Sequence, residues 1–332
     1  MAFRIMNPGY AEFLDNHNDA VTVESEVYAK NGVSFYTGSG STAQSTGYQM
    51  PYKPSELWCK FNIYVKYPKA SGTPSKEIGY LDSVSSYSSN FTGVRFYASN
   101  NSYYVYIMVN GANRASIAGN CYYSWDDVAN NTNLKGNAIN EILLHIKPST
   151  TSSATDGLIE VTINGKLMLT AADLSTPWAG TYNVFRIFGY NPIDFLVSDI
   201  ILSDEEISYK EQIIPIPVSA TETTMSVRSS GLYVADAVGQ TLLQTVDAES
   251  LIDDYGADSE ITGIMTVGNP AYRTGEVVSS LIGISKENGV ITEHGTHTLS
   301  TDETGVVSDA RKVTNTTIAD LDGVQFGWKS GE

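Results

Sequence analysis

The chain of 332 residues is poor in cysteine, in charge and in long apolar runs, and each shortage excludes something. Only Cys59 and Cys121 are present. Two cysteines allow one bridge but no disulfide framework. No stretch reaches the roughly 18 consecutive apolar residues of a membrane-spanning helix. Met1–Asp15 lacks a basic segment followed by an apolar core, so no secretory signal is expected. Charged residues make up only 17% of the chain, and cations are the scarcer kind, 20 Lys+Arg against 37 Asp+Glu. The net charge of −17 argues against nucleic-acid binding, which needs a basic footprint. Four histidines, no Gly-x-Ser-x-Gly elbow and no suggested Cys–His pair leave nucleophilic catalysis without its parts.

What is abundant is Tyr (21) and Gly (28), alongside many Ser, Thr and Asn, over a 42% hydrophobic content ample for packed cores. This suits antiparallel β-sandwiches with many turns. Leu57–Tyr67 is the clearest strand. Leu57, Cys59, Phe61, Ile63, Val65 and Tyr67 face one way, and Trp58, Lys60, Asn62, Tyr64 and Lys66 the other, the pattern of a sheet wet on one side. Cys59 then serves as a small buried hydrophobe. Val94–Ser99 and Tyr103–Asn110 form a hairpin about Asn100-Asn101, with Tyr104, Tyr106 and Met108 opposite Val105, Ile107 and Val109. Asn110–Gly136 reads as long and irregular, with a helical turn starting near Trp125-Asp126-Asp127.

Asn140–Pro148 alternates, and Gly157–Thr170 places two apolar runs around Asn164-Gly165, a strong hairpin signal because a type I′ turn needs φ > 0 twice. A plain two-residue turn sets Val161 beside Met168 and turns Leu167 and Leu169 to the opposite sheet face. Either that strand is covered on both sides or the hairpin carries a bulge. Tyr182–Tyr190 and Asp194–Leu202 follow as strands, and Ser203-Asp204-Glu205-Glu206 is a capping box opening one helical turn.

This order, ending in Leu202-Ser203-Asp204-Glu205-Glu206-Ile207, resembles the end of a laminin-G-like, concanavalin-type lectin domain. The resemblance covers the last third of residues 1–210 well and the rest by pattern. It implies a jelly-roll β-sandwich over 1–212. Pro215 and Pro217 remove ladder donors and stiffen the chain, so 213–222 reads as a Pro-containing linker, and the strand patterns beyond it as a smaller acidic β-sandwich over 223–332, making the protein all-β. The acid is concentrated in the second part. Residues 211–332 carry 6 Lys+Arg against 18 Asp+Glu, while residues 1–210 carry 14 against 19. In the second part Asp247–Tyr255 reads as a capped helix ended by Gly256, Lys286–Gly289 as a tight turn, and Met225–Val234, Glu260–Gly268, Glu276–Ser285, Gly289–Leu299, Gly305–Val313 and Val324–Trp328 as strands.

Sandwiches of this type host glycoside hydrolases with a Glu-x-Asp-x-x-Glu strand. That string is absent, Glu205 and Glu206 sit in the capping motif, and no catalytic residue is expected. Carbohydrate binding is the alternative, because sugars stack on aromatic faces and hydrogen-bond to Asn, Asp, Tyr and Ser. Trp58, Tyr64, Tyr104, Tyr106 and Trp125, the last in Tyr122-Tyr123-Ser124-Trp125, are the candidate ligand-binding residues, and covering a sheet face is the competing role. Asp15, Asn16, Asn18 and Asp19 form a weak calcium candidate beside the plainer reading of an acidic turn, so no cofactor is assigned. His145 is expected to face solvent. His294 and His297, three apart, fall on opposite faces of a strand unless Gly295 makes a bulge, and no metal site is assigned.

The resemblance, with the missing export signal, implies a bacteriophage virion structural protein of fibre, receptor-binding or head-decoration type. It would be made in the host cytoplasm and would bind other virion proteins or a host surface glycan, with a homotrimer favoured. Neither nucleic acid nor membrane insertion is expected. The alternatives are a bacterial cell-surface carbohydrate-binding module and, less favoured, a glycan-cleaving enzyme.

Overall fold

The computed structural model describes residues 4–7, 15–17, 21–23, 35–37, 44–50, 52–66, 75–81, 91–99, 102–120, 133–176, 184–190, 195–228, 232–301, 304–307 and 311–332. The chain divides into two compact units, Met1–Ile213 and Ile214–Glu332. Both are built from antiparallel strands.

In the first unit the strands are, in chain order, β1 (Arg4–Asn7), β2 (Asp15–His17), β3 (Val21–Val23), β4 (Phe35–Thr37), β5 (Gln44–Gln49), β6 (Leu57–Val65), β7 (Ser75–Leu81) and β8 (Phe91–Ser99). Then come β9 (Ser102–Val109), β10 (Ala112–Asn120), β11 (Ala138–Lys147), β12 (Gly157–Ile163), β13 (Lys166–Leu174), β14 (Val184–Tyr190) and β15 (Phe195–Ser203). They form two sheets. One runs β13-β12-β11-β6-β15-β4-β3 with β1 on β15, and the other β10-β9-β8-β7-β14-β5-β2. This is a jelly-roll β-sandwich.

Alternation makes the core. Leu57, Cys59, Phe61, Ile63 and Val65 of β6 meet Val94, Phe96, Val105 and Ile107 from the other sheet in one buried cluster. Phe61 stands edge-on to Phe96 at 6.2 Å, and Phe195 of β15 lies 6.3 Å from Phe96 and 6.2 Å from Tyr103. Burial pushes the Cys59 thiol far above its ordinary pKa, as suits an inert core residue. Lys76 also points to the core side, opposite Phe96, and burial pushes its ammonium down to about 7.

The turns explain much of the register. Asn164 and Gly165 take φ of 50° and 79°, as the Asn-Gly hairpin requires. A bulge follows. Val161 pairs with Leu169 and Thr162 with Leu167, so Met168 is the extra residue and Val161 does not sit beside it. The bulge turns Leu169 into the core (7% exposed) and leaves Leu167 54% exposed. A second Asn-Gly hairpin, Asn110-Gly111 with φ of 47° and 74°, joins β9 to β10. Residues 112–120 are therefore a strand rather than irregular chain, and the segment around Trp125 lies outside the described residues. Gly79 and Gly93 face each other across β7 and β8. A Cβ on Gly79 would come within 2.1 Å of the Thr92 carbonyl oxygen, so the two backbones fit only without side chains.

One local expectation fails. Ser203 closes β15, and residues 204–208 are not helical. The Ser203 hydroxyl accepts the amide of Glu205, two residues on, instead of capping a helix. The chain then runs on without helix, with Ile207 buried and Tyr209 beside Lys60.

The second unit contains a five-stranded sheet. Its strands, with the remaining elements in chain order, are β16 (Val218–Thr223), β17 (Ser226–Val227), β18 (Tyr233–Val234), β19 (Thr241–Val246), α1 (Ala248–Tyr255), β20 (Glu260–Ile264), β21 (Val267–Ala271), β22 (Ser280–Glu287), β23 (Val290–Thr298), β24 (Thr304–Val307), β25 (Arg311–Thr317) and β26 (Gln325–Gly331). The sheet order is β16-β19-β26-β22-β23, and β17-β18, β20-β25 and β21-β24 are separate ribbons. Asp247 caps α1 by accepting the Ser250 amide, and Gly256 at φ 90° ends it. Val246, Leu251, Ile264, Ile318 and Leu321 form its main cluster.

Candidate functional site

Strand alternation gives each sheet of the first unit an outer face, and the sequence candidates divide between them. Trp58 and Tyr64 lie on the outer side of β6, and Tyr104 and Tyr106 on the outer side of β9. No geometry joins the two pairs. Trp125 lies outside the described residues, as do Asn18 and Asp19 of the calcium candidate, while Asp15 and Asn16 fall in β2.

The outer side of β6 is not wet. Lys60 is 4% exposed and Asn62 5%. Residues 209–213 lie over them. The Lys60 ammonium donates to the carbonyls of Tyr209 and Glu211 and sits 5.1 Å from the Tyr209 ring centre. The Tyr209 ring rests against Gly165, which has no side chain to displace it. Burial raises the pKa of the Tyr209 phenol, and its hydrogen bond to the Glu141 carboxylate raises it further. Asn62 and Ser198 both donate to Asp199 Oδ2, each at 2.8 Å. A cavity of about 10 Å³ remains among Lys60, Asn62, Glu141 and Asp199, room for one water.

Beside this covered strip, Trp58 stacks flat on His145, centroids 3.8 Å apart and planes 8° apart. His145 Nδ1 lies 3.1 Å from Glu160 Oε2, and Nε2 lies 3.4 Å from Glu56 Oε2. His145 does point away from the core, but it is 8% exposed and so does not face solvent, because Trp58 covers its ring. One face of Trp58 is thereby taken.

The outer side of the second sheet differs. The β8–β9 register, with Ser99 opposite Ser102, sets Tyr97 opposite Tyr104 and Arg95 opposite Tyr106. Tyr104 and Tyr106 stack at 5.8 Å and 12°, and Tyr97 tilts against both at 5.8 and 6.3 Å. All three rings are half-buried, and Phe91 and Met108 pack against Tyr106. Opposite Arg95 on β7 stands Glu77. Arg95 Nε donates to Glu77 Oε1 at 2.6 Å, and Nη2 reaches the same oxygen. The Glu77 side chain is 4% exposed and that of Arg95 28%. Glu77 Oε2 is buried with no hydrogen-bond partner. Burial raises the Glu77 pKa, and the Arg95 charge and hydrogen bond oppose that rise. Burial also raises the Tyr106 phenol, with smaller contributions from Tyr104 and Tyr97.

This face offers a chemistry of adsorption: π surface, phenol hydroxyls, a fixed guanidinium and a carboxyl. Tyr97, Arg95 and Glu77 were not among the sequence candidates. Tyr97 and Arg95 follow from counting back along β8 from the Ser99–Ser102 pair. Glu77 needs the β7–β8 pairing, which no short-range signal supplies.

In the second unit Gly295 (φ 83°) does form a bulge opposite Gly283, which brings His294 and His297 to one face of β23. His294 Nε2 lies 2.7 Å from the Ser285 hydroxyl, and His297 stands edge-on to Trp328. Among the described residues no group of three or more His, Cys, Asp or Glu is placed to hold a metal ion, and no helix is long and apolar enough to cross a membrane.

No protein-family model matches the chain, and no curated protein matches it. Solved structures do resemble it. Endo-β-1,4-glucuronan lyase from the fungus Trichoderma reesei is 12% identical over 61% of this chain and 99% of its own, with a TM-score of 0.39. The potassium-bound carbohydrate recognition domain of Emp46p is 10% identical over 61% and 89%, with a TM-score of 0.37. Sheep galectin-11 is 10% identical over 50% and 99%, with a TM-score of 0.29. At these values the likeness is one of fold, and the strand pairing above carries the fold.

Proposed function

We propose that this protein binds glycans without cleaving them, through the outer face of the second sheet. The observation that carries the proposal is the half-exposed cluster of Tyr97, Tyr104 and Tyr106, with Tyr106 packed on Phe91 and Met108, beside the Arg95–Glu77 pair. Half-exposed aromatic rings next to directed hydrogen-bonding groups suit a ligand with apolar C–H faces and hydroxyl rims. The Trp58 side favours binding less, since its neighbours Lys60 and Asn62 are buried and Lys60 is held by the carbonyls of Tyr209 and Glu211.

The test is a glycan array followed by titration of whichever glycans bind. Tyr104→Ala and Tyr106→Ala should each weaken binding at least tenfold, about 1.4 kcal/mol, with the fold intact by circular dichroism. Silence across the array would refute binding, and release of reducing sugar or unsaturated product would refute the non-catalytic reading. Residence in a virus particle as a fibre or decoration protein, with homotrimeric assembly, is a separate proposal from the sequence alone. Mass spectrometry of purified particles decides it, and absence of the chain would end it.

A further inference from the structure

The Arg95–Glu77 pair bears on which sugars the tyrosine face accepts. An exposed arginine beside aromatic rings would by itself favour acidic sugars, since a guanidinium pairs with carboxylates. Here that cation is already matched. Both Nε and Nη2 of Arg95 are directed to one oxygen, Glu77 Oε1. The other oxygen, Oε2, is buried and makes no hydrogen bond, so the carboxylate charge is not fully screened by donors. A second carboxylate brought to Arg95 would share the guanidinium with Glu77 and lie close to a like charge in a half-dry setting.

The guanidinium has five N–H donors, and the bonds to Glu77 use only part of them. Its remaining donors and the phenols of Tyr97, Tyr104 and Tyr106 match hydroxyl groups, which both accept and donate. The acidic balance of residues 1–210, 14 Lys+Arg against 19 Asp+Glu, works in the same direction at longer range by repelling anions.

We infer that the tyrosine face is selective for neutral, hydroxyl-rich glycans over acidic ones, and that Glu77 sets this selectivity by neutralising Arg95 from below. The inference rests on the glycan-binding reading and adds the ligand class to it. Glu77 is a selectivity-determining and positioning residue. Its side chain is nearly buried, and it acts through Arg95.

The experiment compares two probe sets on the full chain by fluorescence titration: neutral gluco-, galacto- and manno-oligosaccharides, and uronic-acid oligosaccharides of matched length. The expected result is at least tenfold tighter binding of some neutral probe than of any uronate. Equal or tighter uronate binding would overturn the selectivity while leaving glycan binding standing. Binding of neither set would remove the glycan reading and this inference together. Glu77→Gln keeps the shape and deletes the charge, so the neutral-to-uronate affinity ratio should fall at least tenfold. An unchanged ratio in folded E77Q would remove Glu77 from the role. If E77Q does not fold, the wild-type comparison still decides the selectivity, because it needs no substitution.

Discussion

The two outer faces of the first unit start from the same rule and end differently. Both β6 and β9 alternate, with apolar residues inward and aromatic or polar residues outward. On β6 the outward residues are consumed by the chain itself: Lys60 holds residues 209 and 211, Asn62 holds Asp199, and Trp58 lies on His145. On β9 the outward tyrosines pack on one another and stay half-exposed. Alternation therefore says which way a side chain points, while long-range chain routing says whether solvent or ligand reaches it.

Breaking the β6 face should cost the fold most. Lys60→Ala removes a buried cation that bridges two carbonyls and leaves the Tyr209–Glu141 pair beside an empty space. We expect a loss of about 3 kcal/mol, read as a lower urea midpoint at unchanged slope. A loss below about 0.5 kcal/mol would mean that Lys60 does not hold residues 209–213. Next comes Asn164→Ala. Asn164 adopts φ 50°, accepts the Glu141 amide and donates to Asn133 O and Asn140 Oδ1. Losing these should cost about 2 kcal/mol, by the same measurement.

Trp58→Ala sharpens the contrast, because it should lower stability by about 1–2 kcal/mol, through lost packing on His145, and leave glycan affinity within twofold. On the β9 side the smaller effect is a pH dependence. The folded pKa of Glu77 lies above its ordinary value of 4.5. A carboxyl so shifted contributes stability that is full below its unfolded pKa and is lost as pH rises through the folded value. The stability of wild type relative to E77Q should thus decline from pH 4.5 upward. Denaturation series on both proteins check it, and a rising difference would reverse the assigned cause.

Several features were legible in the sequence for local reasons. The β6 alternation, the Asn164-Gly165 turn, the β8–β9 pairing and the Asp247-capped helix each depend on residues within a few positions of one another. The Asn110-Gly111 hairpin carries the same signal, but the polar run after it hides a strand. What could not be read depends on distant partners. Lys60 meets Tyr209 and Glu211 across 149 and 151 residues. The Met168 bulge decides between two strand faces that composition leaves equal, and Ser203 meets capping rules yet ends a strand. Of the site, Tyr104 and Tyr106 were visible as an outward pair, and the hairpin register adds Tyr97 and Arg95. Glu77 became visible only with the β7–β8 pairing.

If the ligand sits on the tyrosine face, the Trp58 face is dispensable for binding. Parallel titration of one array-selected glycan against wild type, Trp58→Ala and Tyr104→Ala/Tyr106→Ala tests it most directly. Affinity should stay within twofold of wild type for Trp58→Ala and fall at least tenfold for the double tyrosine variant, both folded. The reverse pattern, with Trp58→Ala abolishing binding and the tyrosine variant retaining it, would move the ligand to the Trp58 face.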